Sequence, residues 1–195
     1  MKIGEARQIY NTQIRAYQEQ KVALSKQKKE LESKMNSVPD GKTVYANEAA
    51  ILELTIKAVD EKQTEYQDYM DKLLAQWNVK VNMVSAEQQG DAMEEYVEDL
   101  GKIMEVARRL MKGAIVPAKD EQKLMEYSME MYQAAKNMGM LVKQKEKEEY
   151  DSLWDDEEEK VYDDPSEVAD NTEAFANGPA IVDVADMMAS VEVSE

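Results

Sequence analysis

The chain contains neither cysteine nor histidine. Without cysteine there are no disulfides, no thiolate nucleophiles and no sulfur-ligated zinc or iron–sulfur centres. Without histidine there is no Ser-His-Asp triad, no imidazole metal ligand, and no side chain whose unperturbed titration falls near neutrality. Glycine (7) and proline (4) are scarce among the 195 residues, and there is one phenylalanine. Basic charge is in deficit, with 24 Lys and Arg against 41 Asp and Glu. That balance argues against direct nucleic-acid binding, because phosphate contacts need clustered cations. No apolar run approaches the roughly 20 residues of a membrane-spanning helix. The start, Met-Lys-Ile-Gly-Glu-Ala-Arg, lacks the apolar stretch of a secretory signal, so a cytoplasmic location is expected.

What remains is a helix-forming composition rich in Ala, Glu, Lys, Gln and Met. The clearest pattern is the series Leu52, Ile56, Val59, Gln63, Tyr66, Met70, Leu73 and Trp77. It alternates by four and three, the seam of a coiled coil with one polar member. A companion series, Ile3, Tyr10, Tyr17, Leu24 and Leu31, repeats every seven residues, with Lys21 and Lys28 in the neighbouring seam position. Pro39-Asp40-Gly41 between them reads as a turn in which proline presets φ and glycine supplies the positive φ. A short turn between two long helices makes an antiparallel hairpin.

A second helix pair is expected downstream. Ser85-Ala86-Glu87-Gln88 fits a capping box. The apolar set Met93, Tyr96, Val97, Leu100, Ile103, Met104, Ala107, Leu110 and Met111 is wide enough to touch two neighbours. Gly113 reads as a helix stop. The fourth helix carries the stripe Leu124, Met131, Ala135, Met138 and Val142. The reading is therefore an all-α protein of long antiparallel helical hairpins, as a coiled coil or elongated four-helix bundle. Its helical body spans residues 1–154, with helices near 2–36, 43–78, 85–113 and 118–154. Residues 155–195 form an acidic, mostly disordered tail, since residues 151–195 hold fifteen acids against Lys160 alone and like-charge blocks are usually solvated.

Few residues offer chemistry. Asp91, Glu94, Glu95 and Glu98 share one and a half helical turns, and oxygen ligands of this kind suit Mg²⁺ or Mn²⁺. Glu94-Glu95-x-x-Glu98 resembles the first half of the motif of the all-α nucleotide pyrophosphatases. The second, downstream half of that motif is missing, for the next helix begins Asp120-Glu121-Gln122-Lys123. The more ordinary reading is a solvated helix face, with no metal and no cofactor.

Methionine is abundant, and nine of the 14 lie between Met83 and Met140. Methionine fills irregular cores and also lines adaptable binding surfaces. Met125, Met129, Tyr127, Tyr132 and Met140 are accordingly candidate partner-binding residues. So are Ile181, Val182, Val184, Met187 and Met188, an apolar patch in the acidic tail that either folds back on the bundle or docks a partner. The expected function is non-enzymatic: a helical scaffold or adaptor of a cytoplasmic bacterial or phage-type assembly, binding protein partners, with helix seams able to recruit a second copy. The alternatives are a metal-dependent all-α phosphohydrolase built on the carboxylate cluster, and an inhibitor whose acidic tail occupies a basic partner.

Overall fold

The computed structural model describes residues 1–142, 147–155 and 160–192. The described chain is all-α. Its elements are α1 (Ile3–Ser37), α2 (Gly41–Val44), α3 (Ala46–Met111), α4 (Ala118–Tyr127), α5 (Met129–Leu141), α6 (Pro165–Asp170) and α7 (Val184–Glu192). Among the described residues there is no sheet, only the isolated bridges Lys2–Glu173 and Ile115–Glu149. None of the described helices is long and apolar enough to cross a membrane. The chain divides into two compact units, one of residues 1–84 and 163–195, the other of residues 85–162.

In the first unit α1 packs antiparallel to the N-terminal part of α3. The heptad residues of α1, Ile3, Tyr10, Tyr17, Leu24 and Leu31, are all buried. The first four share one core with Val59, Tyr66, Met70 and Leu73, with Leu52, Ile56 and Trp77 packed at the margins. Lys21 and Lys28, the polar breaks in the α1 seam, reach across to Asp60 and Glu53. Charges flanking a seam in this way fix register rather than contribute much stability. Gln63 is buried and donates to the Gln18 Oε1 at 2.8 Å, while its own Oε1 has no partner.

The connection differs in one detail from the expected turn. Asp40, not Gly41, takes the left-handed conformation (φ 57°), which aspartate tolerates better than most residues. Gly41 is buried at the start of α2, and a Cβ there would collide with the Met35 carbonyl. The glycine is required by close approach, not by φ.

Three expected boundaries are corrected. The helices placed at 43–78 and 85–113 are one unbroken helix, α3, and Ser85 lies inside it. Residues 78–84 contain no proline or glycine, so nothing stops propagation. The helix expected over 118–154 breaks at Ser128, whose backbone is extended and whose side chain accepts from the Met131 N–H as the cap of α5. It then ends at Leu141. Breaking the phase at Ser128 turns the expected core residue Met138 outward, at 55% exposure.

The third correction concerns the tail. Residues 163–192, expected to be disordered, form a strap along the α1–α3 hairpin. Asp164 caps α6 by accepting from the Ser166 and Glu167 N–H groups. Asp170 then binds Arg7 at 3.0 Å and the Trp77 indole at 2.9 Å. Ile3 N–H donates to Thr172 and Ala174 N–H to Met1. In α7, Val184, Met187 and Met188 pack on the hairpin core. Residues 156–159, the most acidic stretch of the expected tail, lie outside the described residues.

Candidate interaction surfaces

Two regions concentrate unusual features, one in each unit. The first is a tyrosine ladder. Tyr10, Tyr17, Tyr66 and Tyr69 come from opposing heptad positions and from one position beside the seam. Their rings meet edge to face, with centroids 5.6 Å apart for Tyr10–Tyr66, 4.8 Å for Tyr10–Tyr69 and 5.4 Å for Tyr17–Tyr66. A buried phenol needs a polar partner, and here each finds one on the strap. Tyr69 donates to the Ala176 carbonyl (2.8 Å), Tyr10 to Pro179 (2.8 Å), Tyr66 to Ala180 (3.1 Å) and Tyr17 to Val182 (2.9 Å). The Tyr66 hydroxyl also accepts from the Val182 N–H at 2.9 Å. Desolvation raises the pKa values of Tyr10, Tyr17 and Tyr69 above the ordinary phenol value. These hydroxyls stay protonated and available as donors.

The strap passes so close that Gly178 admits no side chain. A Cβ there would overlap the Tyr10 hydroxyl and lie 2.7 Å from the Tyr69 ring. The tail patch proposed from the sequence is thereby divided. Val182, Val184, Met187 and Met188 are half-buried against the hairpin, and Ile181 is exposed.

The second region is the unit of residues 85–162. Its core gathers Ile103, Val106, Ala107 and Leu110 of α3 with Val116, Leu124, Ala135 and Trp154. Trp154 is buried and donates to Asp99 at 2.8 Å, while Lys119 donates to its carbonyl. Asp120 is buried at the start of α4, where it accepts from the Ser152 hydroxyl and the Leu153 N–H. Together they pin residues 152–154, which are not helical, onto α3 and α4. Arg108 and Arg109 both donate to Glu105, and those hydrogen bonds hold its carboxyl down to about 2. The Arg109 guanidinium also stacks over Tyr150.

The candidate metal ligands are not brought together. Asp91, Glu94, Glu95 and Glu98 are all exposed, Glu98 pairs with Lys102 at 3.1 Å, and no group of three or more acidic residues converges among the described residues. Comparison with family models, curated proteins and solved structures finds no match. The surface itself must therefore carry the functional reading.

Of the candidate partner-binding residues in this unit, Met125 and Tyr132 are half-buried. Tyr132 donates to Glu121 at 2.8 Å, and Lys136 donates to the same carboxylate at 2.8 Å. Tyr127 and Met129 are exposed, and Met140 is 75% exposed. Beside Met140 sits Leu141, 82% exposed and off every apolar stripe of the sequence, so no periodicity marks it. Met140 lines a cleft of about 270 Å³ with Leu110, Ile115, Val116 and Gly139, and the Glu121–Lys136 pair and Lys147 form its polar side.

Proposed function

We propose that the protein is a non-enzymatic scaffold or adaptor that holds a partner protein at the C-terminal end of α5. The observation that carries this reading is the exposed Met140-Leu141 pair beside a cleft of mixed lining, in which Leu110, Ile115 and Val116 sit with Glu121, Lys136 and Lys147. Exposed apolar side chains of this size, next to a concave surface that offers both apolar and charged groups, match the way an amphipathic helix is seated by apolar anchors with polar contacts beside them. Methionine suits such a surface because its thioether adapts to the incoming shape.

The experiment is chemical cross-linking of the full-length protein in its native cell extract. The wild type is compared with the double variant Met140→Glu, Leu141→Glu and with the exposed-site control Val22→Glu. One partner protein is expected to be captured by the wild type and the control and lost with the double variant, while circular dichroism stays unchanged. Equal capture by all three would remove this surface from the function.

A further inference from the structure

The strap lies on the hairpin as a ligand lies on a receptor. Of residues 163–191 only Ala169 is buried, and residues 171–191 are half-buried or exposed throughout. The tyrosines beneath them are buried. The hairpin also reads the strap largely by its backbone. Besides the four phenols, the Gln76 side chain donates to the Glu173 carbonyl at 2.9 Å and accepts from the Phe175 N–H at 3.0 Å. At the head of α1 the two segments pair as antiparallel strands do, with Lys2 opposite Glu173. Farther along, Gln20 donates to the Met188 sulfur at 2.9 Å, and Val184, Met187 and Met188 rest on the core.

Each of these contacts would be made equally well by the strap of another molecule of the same sequence, since the groups are identical. What favours the chain's own strap is its tether. That tether is long. The hairpin's part of the unit ends at Val84 and the strap begins at Asp163, with the whole of the other unit between them. A tether acts as an effective concentration, about 1 mM for a short flexible link and lower as the link lengthens. A second copy at a comparable concentration competes on near-equal terms.

The groove is costly to leave empty. Without a strap, four phenols in an apolar seam lose their acceptors. A one-way exchange between two chains leaves one groove vacant. Reciprocal exchange fills both and closes on itself, which is why swapping an identical element is a low-cost route to a dimer.

We propose that the tyrosine-ladder groove accepts the strap of a second copy, so that two chains join by reciprocal exchange of residues 163–192. Gly178 of one copy then passes over Tyr10 and Tyr69 of the other, and the carbonyls of Ala176, Pro179, Ala180 and Val182 meet the other copy's phenols. The exchange is independent of the α5 surface proposed above.

The test is disulfide trapping, which the cysteine-free sequence makes clean. Lys2 and Glu173 face each other in a bridge whose hydrogen bonds come from the flanking residues, Ile3 N–H to Thr172 and Ala174 N–H to Met1. In such a pair the Cα atoms are about 4.5 Å apart, within a disulfide's reach. Full-length Lys2→Cys and Glu173→Cys chains are unfolded together, refolded together at about 0.5 mM, near the tether's effective concentration, and mildly oxidised. Refolding as a mixture keeps slow strap opening from hiding the exchange. A mixed disulfide dimer is expected. Val22→Cys mixed with Glu173→Cys is expected to give far less, although Val22 is 61% exposed. The second arm is mass in solution. The wild type refolded at about 0.5 mM is expected to contain a species of twice the 22.3 kDa chain mass. The double variant Lys2→Cys, Glu173→Cys, oxidised while dilute so that each strap is locked to its own hairpin, is expected to stay monomeric when concentrated. A mixed-disulfide yield no higher than that of the Val22→Cys control would overturn the proposal. A locked chain that dimerises as the wild type does would place the interface elsewhere and overturn it equally. Neither arm reads the α5 surface, so the two proposals stand or fall separately.

Discussion

The Tyr17 hydroxyl donates a 2.9 Å hydrogen bond to the carbonyl oxygen of Val182, across 165 residues of sequence. It is one rung of a ladder that ties the strap to the hairpin. Tyr17→Phe keeps the ring and its edge contact with Tyr66 and removes only the donor. The expected cost is about 1 kcal/mol, that of one neutral hydrogen bond. Hydrogen exchange should accelerate at residues 176–190 while the α1 amides keep their protection. An equal loss of protection throughout α1 would mean that the strap and hairpin open as one body.

Gly178→Ala asks for more than one bond. The added methyl overlaps the Tyr10 hydroxyl and crowds the Tyr69 ring, so either the tyrosines or the strap must shift. Overpacking of this kind costs on the order of 1–3 kcal/mol. The strap is the element with less to lose, and limited proteolysis should cut between residues 171 and 183 in the variant well before it does in the wild type.

Alkaline pH should release the strap as well. Tyr10, Tyr17 and Tyr69 have folded-state pKa values raised above 10.0, first by desolvation. A raised pKa means that the folded state holds its proton where the unfolded state gives it up. The stabilisation is fully present below pH 10 and declines as pH rises from there toward the folded-state values. Tyrosinate absorbance should therefore rise late and cooperatively, together with loss of strap protection. A simple titration at the ordinary phenol value would show that these hydroxyls are already in water.

Gln63 is the polar member of the α3 seam, and its Oε1 is buried without a partner. Gln63→Leu removes that unmet acceptor and places an apolar residue in an apolar seam. Gln18, the other side of the existing bond, is exposed and can turn to water. The variant is expected to gain about 1 kcal/mol, the scale of relieving one unsatisfied buried group, read as a higher denaturant midpoint with an unchanged slope. A loss of stability would mean that the Gln63–Gln18 bond holds the register of the two helices.

The hairpin was legible because a seven-residue repeat has one physical meaning over so long a run. Ile3, Tyr10, Tyr17, Leu24 and Leu31 are all in the core. The strap was not legible from charge, since its eight acids, with no base among residues 163–192, mask the few side chains that anchor it. The signal lay elsewhere, in the tyrosines. Four phenols in or beside an apolar seam each demand a polar partner, and nothing within a two-helix hairpin supplies four. Asking where those hydroxyls go would have led to a third segment. The break at Ser128 left little trace, because its cap lacks the glutamate or glutamine three residues on that marks a capping box. The division of the third helix's apolar set into two faces was half visible. Its width announced two neighbours, but no residue type marked which half of the set, Ile103, Ala107 and Leu110 or Met93, Val97 and Met104, would be buried within the unit.

The unit that carries the tyrosine ladder is assembled from residues 1–84 and residues 163 onward, with the other unit inserted between them. A ribosome delivers those two parts separately. The hairpin emerges first and waits, its phenols facing water, while the whole of residues 85–162 is made. The inserted unit is continuous in sequence and has all its core residues in hand before the strap leaves the exit tunnel. Synthesis thus sets an order of assembly: insert before host. Until residue 182 arrives the hairpin presents an open row of tyrosines, the surface that a chaperone, or a misplaced strand of another chain, would meet first.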